Sequence, residues 1–321
     1  MSLRFFCPGI IGVLCFGPLA LTQSQTRGSG KAWMSPRTAD GQPDLEGVWA
    51  IDTLTPLERP AELAGKEVLM AAEVAAYEKR VLEETNRDRR DGSSEADLAR
   101  NYNEFWRERG THLAGGRTSL ITDPPDGRIP PLTPEAQRKR AARPRAPRGA
   151  EDLALRIRCI SRGLPMVPTP NNNFFRIVQA PGTVAILQEM MYEARIIPLD
   201  GRPHTHSAIR GYMGDSRGHW EGNTLVIDTT NFIGVDDFYN ADENLHLTER
   251  LTRTSEDTIA YQFTVDDPTA FTRPWSGEIP FTKTMESIYD YECHEGNYAL
   301  VDILAGARLQ EKKEADAGAQ R

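Results

Sequence analysis

From Phe174 onward, apolar and polar residues alternate in short runs, the period-two pattern of strands with one buried face. The runs are Phe174–Gln179, Val184–Glu189, Ala194–Pro198, Thr224–Thr229, Leu245–Thr252, Thr258–Val265, Trp275–Thr284 and Ile288–Cys293. Turn clusters separate them at Pro181-Gly182, Asp200-Gly201, Glu221-Gly222-Asn223, Ser255-Glu256-Asp257 and Asp266-Asp267-Pro268. These residue types supply the positive φ or the local side-chain bonds that chain reversals need. Regularly spaced strands without intervening helices predict an antiparallel sandwich or barrel over residues 171–307.

The upstream half has a different texture. Residues 25–43 are rich in Gly, Ser and Pro and read as a linker, after which Asp44–Ala50 alternates like one short strand. Between Lys66 and Arg90, Val68, Ala71, Ala72, Ala75 and Ala76 recur at helical spacing, and Ser94–Arg109 carries Leu98, Tyr102, Phe105 and Trp106 on one side. Both predict amphipathic helices whose charged faces are solvated. Thr133-Pro134-Glu135 offers an N-cap, a first-turn proline and an acid at the positive helix end. The following basic run, Gln137–Arg148, contains no acid; with Pro144 and Pro147 and no aromatics it reads as a solvated segment. Residues 44–170 thus form a helical, irregular extension that includes the first strand, and the charged residues 308–321 read as a disordered tail.

At the amino terminus, Arg4 precedes an apolar run, Phe5–Leu21, that ends in Thr22-Gln23-Ser24. This is the layout of a signal peptide over residues 1–24, and it predicts a periplasmic or secreted protein. Pro8, Gly9, Gly12, Gly17 and Pro18 inside the run argue against a stable membrane-inserted helix. Losing Arg4 changes the net charge from -8 to -9, and a pI near 5.4 argues against nucleic acid as a partner. Cys7 and Cys15 leave with the signal, so Cys159 and Cys293 remain as one expected disulfide.

The chemistry-bearing residues fall into three groups. His204-Thr205-His206 could offer two imidazoles to a metal, with His246, Glu249, His294 or Glu295 as a third ligand. In Leu245–Arg250, His246 points opposite to Leu245 and Leu247, toward lumen or solvent; Glu292 and His294 share a face in the same way. An imidazole beside a carboxylate can perform general acid–base work near neutral pH. The stretch Asp215–Glu221 could close over a ligand or form a hairpin corner with an Asp–Arg bridge, and Asp215 or Asp228 could act as acid or base. Arg195, Arg202 and Arg273 are candidates for holding a carboxylate or sugar.

The segments Pro43–Trp49, Tyr102–Trp106, Arg117–Pro134, Ala194–His204, Met213–Phe232, Glu243–Arg253 and Tyr291–Tyr298 resemble an exported, uncharacterised family of soil and other environmental bacteria. The resemblance spans most of the chain after the signal and carries no activity with it. It implies histidines at His204, His246 and His294, whereas His206 and His219 depart from the family pattern. It therefore favours the set His204, His246 and His294 over a metal-binding His-x-His pair.

The expected architecture is mainly β: an antiparallel barrel or lipocalin-like sheet with an amino-terminal helical extension, enclosing one polar cavity for a small organic ligand. The expected function is an exported enzyme of lyase, isomerase, cyclase or hydrolase type that needs no cofactor. His246, His294, Asp215 and Glu295 are its expected catalytic residues, and His204, Arg217, Trp220, Arg202 and Trp275 its substrate-binding ones. A non-catalytic periplasmic binding protein and a zinc-dependent hydrolase are the alternatives.

Overall fold

In the computed structural model, the first strand of the chain, β1 (Gly47–Ala50), lies mid-sheet and joins two antiparallel meanders. One meander comprises β3 (Phe174–Ala180), β4 (Thr183–Gln188) and β5 (Glu193–Pro198). The other comprises β6 (Asp215–Glu221), β7 (Thr224–Thr230), β8 (His246–Ser255), β9 (Thr258–Asp266) and β10 (Trp275–Thr284). Val48 pairs with Arg176 of β3 on one side and Thr284 of β10 on the other. A short strand, β2 (Ile121–Asp123), adds to the opposite end of β10. The structure describes residues 33–90, 92–100, 103–234 and 242–319, so the expected signal peptide lies outside the described residues.

The order β5-β4-β3-β1-β10-β9-β8-β7-β6 nearly closes into a barrel, with β5 and β6 facing each other across an unpaired seam. Gly218 makes that approach possible. A Cβ there would come within 2.6 Å of Leu199 Cδ2 and 2.8 Å of Ile197 Cγ2. The first strand belongs to the same sheet as the later ones.

Alternation fills the interior. Trp49, Phe175, Val184, Ile197, Leu225, Leu251, Ile259 and Phe281 are all fully buried. Tyr261 and Phe281 pack with ring centroids 5.0 Å apart, and Phe263 meets Trp275 edge-on at 5.7 Å. These side chains occupy the space where a ligand cavity was expected. Among them lies a buried ion pair: Arg195 donates to Glu249 Oε2 at 2.5 Å and Oε1 at 3.1 Å, and the Tyr261 hydroxyl donates to Oε1 at 2.8 Å.

No strand follows Thr284 among the described residues, although Ile288–Cys293 alternates. One side of β10 is taken by β9 and the other by β1 and β2, so no edge remains for a further hairpin partner. The chain instead crosses to Cys159, where Cys293 forms the disulfide at a Cα separation of 5.6 Å. Nearby, Asn297 Nδ2 donates to the Ile157 carbonyl at 3.1 Å. Replacing both cysteines by serine is expected to lower the unfolding free energy by about 2–4 kcal/mol, because the unfolded chain loses a long closed loop. An unchanged denaturant midpoint at equal slope would refute this.

The helices are shorter than the periodicity predicts. α1 (Ala71–Thr85) closes a small satellite core with Leu54, Leu69 and Leu113, and α2 is Ser94–Ala99. α3 (Pro134–Ala141) starts as expected, with Thr133 Oγ1 accepting from the Ala136 amide at 3.1 Å. The expected disordered tail is corrected by a helix, α4 (Tyr298–Ala319). Its Ala, Leu, Glu and Lys content favours helix, and Arg308 anchors it by donating to the Pro147 and Arg148 carbonyls at 2.6 Å each.

Candidate functional site

Three adjacent strands present polar side chains on the outer face of the barrel. Ser216, Ile227, Leu247 and Glu249 point inward, so Asp215 and Arg217 of β6, Asp228 of β7, and His246 and Thr248 of β8 point out. The register sets Arg217 opposite Asp228, and Asp228 opposite Thr248. Asp215 and His246 are the diagonal neighbours of Asp228 on either side.

The β5–β6 loop adds the remaining member. It returns over the sheet, pinned where Arg217 Nε donates to the Pro203 carbonyl (3.1 Å), the Thr205 amide to Asp215 Oδ2 (2.9 Å), and Asn231 Nδ2 to the Thr205 carbonyl (3.0 Å). These contacts set His204 between two carboxylates, with Nδ1 3.1 Å from Asp215 Oδ2 and Nε2 2.7 Å from Asp228 Oδ1. Asp228 Oδ2 then meets His246 Nε2, and Asp215 Oδ1 accepts from Arg217 Nη1 at 2.7 Å. The result is one continuous row: Arg217, Asp215, His204, Asp228, His246.

Proton accounting defines what the row can do. Ionised carboxylates only accept, so both contacts of His204 are hydrogen bonds only when both of its ring nitrogens carry protons. Burial disfavours ionisation of Asp215, but the Thr205 amide, His204 and Arg217 outweigh it and hold the carboxyl below its ordinary value. Burial acts likewise on Asp228 and is outweighed by His246 and His204. His246 donates from Nε2, which leaves Nδ1 as the acceptor of the neutral ring; Nδ1 makes no hydrogen bond among the described residues. The ring is 46% exposed. The row therefore ends in an oriented, accessible imidazole.

The structure brings together four of the residues expected from sequence: His246, Asp215, His204 and Arg217. It separates the others. His294 and Glu295 sit on the exposed turn after Cys293, with no hydrogen bond or ion pair to the row. Trp275 is fully buried in the core and cannot touch a ligand, which corrects its assignment. Trp220 packs half-buried against the core with Nε1 sealed in, and Arg202 forks onto Asp200 in the next turn. Asp228 is the hub that sequence reading mentioned only as an alternative to Asp215. An aspartate inside Thr-Leu-Val-Ile-Asp-Thr-Thr was the available signal, because Asp is depleted in strands.

The paired histidines do not converge on a common point. His206 Nδ1 accepts from the Ala208 amide at 3.2 Å, and His219 meets Glu221 at 3.2 Å. Among the described residues, no group of three or more His, Cys, Asp or Glu is arranged to hold a metal. Glu249, a candidate third ligand, is committed to Arg195.

One carboxyl away from the row is strongly perturbed. Burial, with help from the negative charge of Glu108, pushes Glu189 up to about 7, against amide bonds from Phe174 and Tyr289 and the charge of Arg162. The folded state therefore holds this proton more tightly than the unfolded chain, and stability contributed by it falls as pH rises from about 4.5 to about 7. Relative to Glu189→Gln, the native protein is expected to lose up to roughly 3 kcal/mol across that window. Denaturant unfolding on either side of the window measures it, and parallel pH curves for the two proteins would contradict it.

No family model matches the sequence, and no curated protein matches it.

Proposed function

We propose that the protein is an exported enzyme that performs acid–base chemistry on a small organic molecule at the outer face of β6–β8. The observation that carries this reading is the fixing of His246 Nε2 by Asp228 with Nδ1 left open. Neutral His246 takes a proton from substrate or from an attacking water at Nδ1. The imidazolium so formed lies against the Asp228 carboxylate, and His246 returns the proton to the product or leaving group. His204, itself between Asp228 and Asp215, keeps the Asp228 carboxylate oriented, and Arg217 neutralises the far end of the row. This covers lyase, isomerase, cyclase and hydrolase steps that begin with proton removal.

The barrel then serves as a scaffold and not as a lipocalin-like cup, since its interior is packed. That filling removes the support for a lumen-binding protein, and the absence of a convergent ligand set among the described residues leaves the zinc hydrolase unsupported. Export is supported by the disulfide, and no helix among the described residues is long and apolar enough to cross a membrane. The test is a turnover screen over small esters, lactones, epoxides and hydroxy acids, run beside His246→Gln. A turnover lost about a hundredfold or more in the variant, with unchanged circular dichroism, supports the reading. An activity that survives the substitution at the native rate refutes it.

A further inference from the structure

A second place on the molecule carries unmet charge and shares no residue with the row. Arg107 Nε and Arg109 Nη1 are both buried without a hydrogen-bond partner. A buried donor left unpaired is costly, more so on a charged group. Both arginines line a cavity of about 300 Å³, within the size range of small-molecule sites. Its remaining wall is largely apolar, formed by residues such as Leu54, Leu57, Val81 and Val167.

The local charge balance is positive. Arg109 spends Nη2 on Glu104 at 2.5 Å, while the Arg107 side chain makes no hydrogen bond or ion pair among the described residues. Burial and the neighbouring charges of Arg109 and Arg87 all bear against the Arg107 cation, and Glu104 offsets them only in part. Glu108, the other nearby acid, is turned away onto the Asn173 amide at 3.1 Å. Beside the cavity lies Gly110, at φ +66°, where a Cβ would come within 2.7 Å of the Asp52 carbonyl carbon and the Thr53 nitrogen. Only glycine allows that backbone crossing beside the two arginines.

We propose that this cavity binds a small organic carboxylate, its anionic head held by the guanidinium groups of Arg107 and Arg109 and its apolar body against Leu54, Leu57 and Val167. The Arg107 side chain holds no bond in the described structure, so turning its guanidinium toward such a ligand breaks none, while Arg109 keeps Nη2 on Glu104. Planar guanidinium forks match carboxylate geometry, and the apolar wall separates this ligand from a simple inorganic anion.

The test uses the full chain and three probes: benzoate, its neutral analogue benzamide, and inorganic phosphate, followed by titration calorimetry. Benzoate is expected to bind one per chain, with benzamide and phosphate each at least about tenfold weaker. Arg107→Gln breaks no bond in the described structure and is expected to weaken benzoate about tenfold to a hundredfold. Arg107→Lys, which keeps the charge and loses the fork, should fall between the two. The proposal is overturned if benzoate fails to bind at millimolar concentration, if either benzamide or phosphate binds as tightly, or if Arg107→Gln binds benzoate like the native protein. Circular dichroism of each variant separates lost binding from lost fold, and benzoate binding by a folded Arg109→Gln at native affinity also counts against it.

Discussion

Glu249→Ala is expected to lower the unfolding free energy by about 3–5 kcal/mol, the cost of leaving one member of a buried ion pair alone. Glu249 is fully buried and accepts three hydrogen bonds, two from Arg195 and one from Tyr261. Its removal strands the buried Arg195 guanidinium without its hydrogen-bonded carboxylate, and leaves the Tyr261 hydroxyl without its acceptor. The pair itself need not be strongly stabilising, because its own desolvation offsets much of the Coulomb attraction. A double replacement, Arg195→Met with Glu249→Leu, keeps the Tyr261 hydroxyl as acceptor of the buried Met166 amide (3.1 Å) and is therefore expected to recover much of the loss. Denaturant unfolding of the three proteins decides the matter. A single variant within about 1 kcal/mol of native would show that the interior admits water to Arg195.

The second large effect concerns the outer row. Asp228→Asn keeps the size of the side chain but replaces one accepting oxygen with an NH2 donor. Two imidazoles then compete for a single acceptor, and one ring must turn an unprotonated nitrogen toward the new donor. His246 loses either its orientation or its correct tautomer. On a substrate turned over by the native protein, kcat is expected to fall by about a hundredfold to ten-thousandfold, with KM moved much less. A raised KM with kcat unchanged would assign Asp228 to substrate binding instead. The variant also has a stability signature. The Asp215 and Asp228 carboxyls are held low in the fold, so their contribution is present above their unfolded value near 3.8 and disappears as pH falls through the folded values. Asp228→Asn should flatten that acid limb.

How much of this was legible in the sequence depended on whether a residue's fate is set by near neighbours or distant ones. β7, β8, β9 and β10 were readable because Leu225 and Ile227, or Tyr261 and Phe263, alternate with polar positions along a single strand. β6 was not. Its inward positions, Ser216 and Gly218, are small because β5 presses against them, so no hydrophobic period survives. Trp275 shares the parity of the buried Ile279 and Phe281, and that parity points it inward. The Asp228 hub depends on His204 returning from a loop, a distance that no local pattern encodes. The strand expected around His294 failed because β10 had no free side, which is a property of the assembled sheet.

The mid-sheet position of β1 has a consequence for how the chain is made. Val48 is made well before its two partners, Arg176 and Thr284. Until β10 exists, the two meanders have nothing to join them, and Trp49, Phe175 and Phe281 lack their common core. Such long-range pairing delays folding until after the ends have met. A growing chain of this kind keeps β1 unpaired on its β10 side until residue 284 has been made.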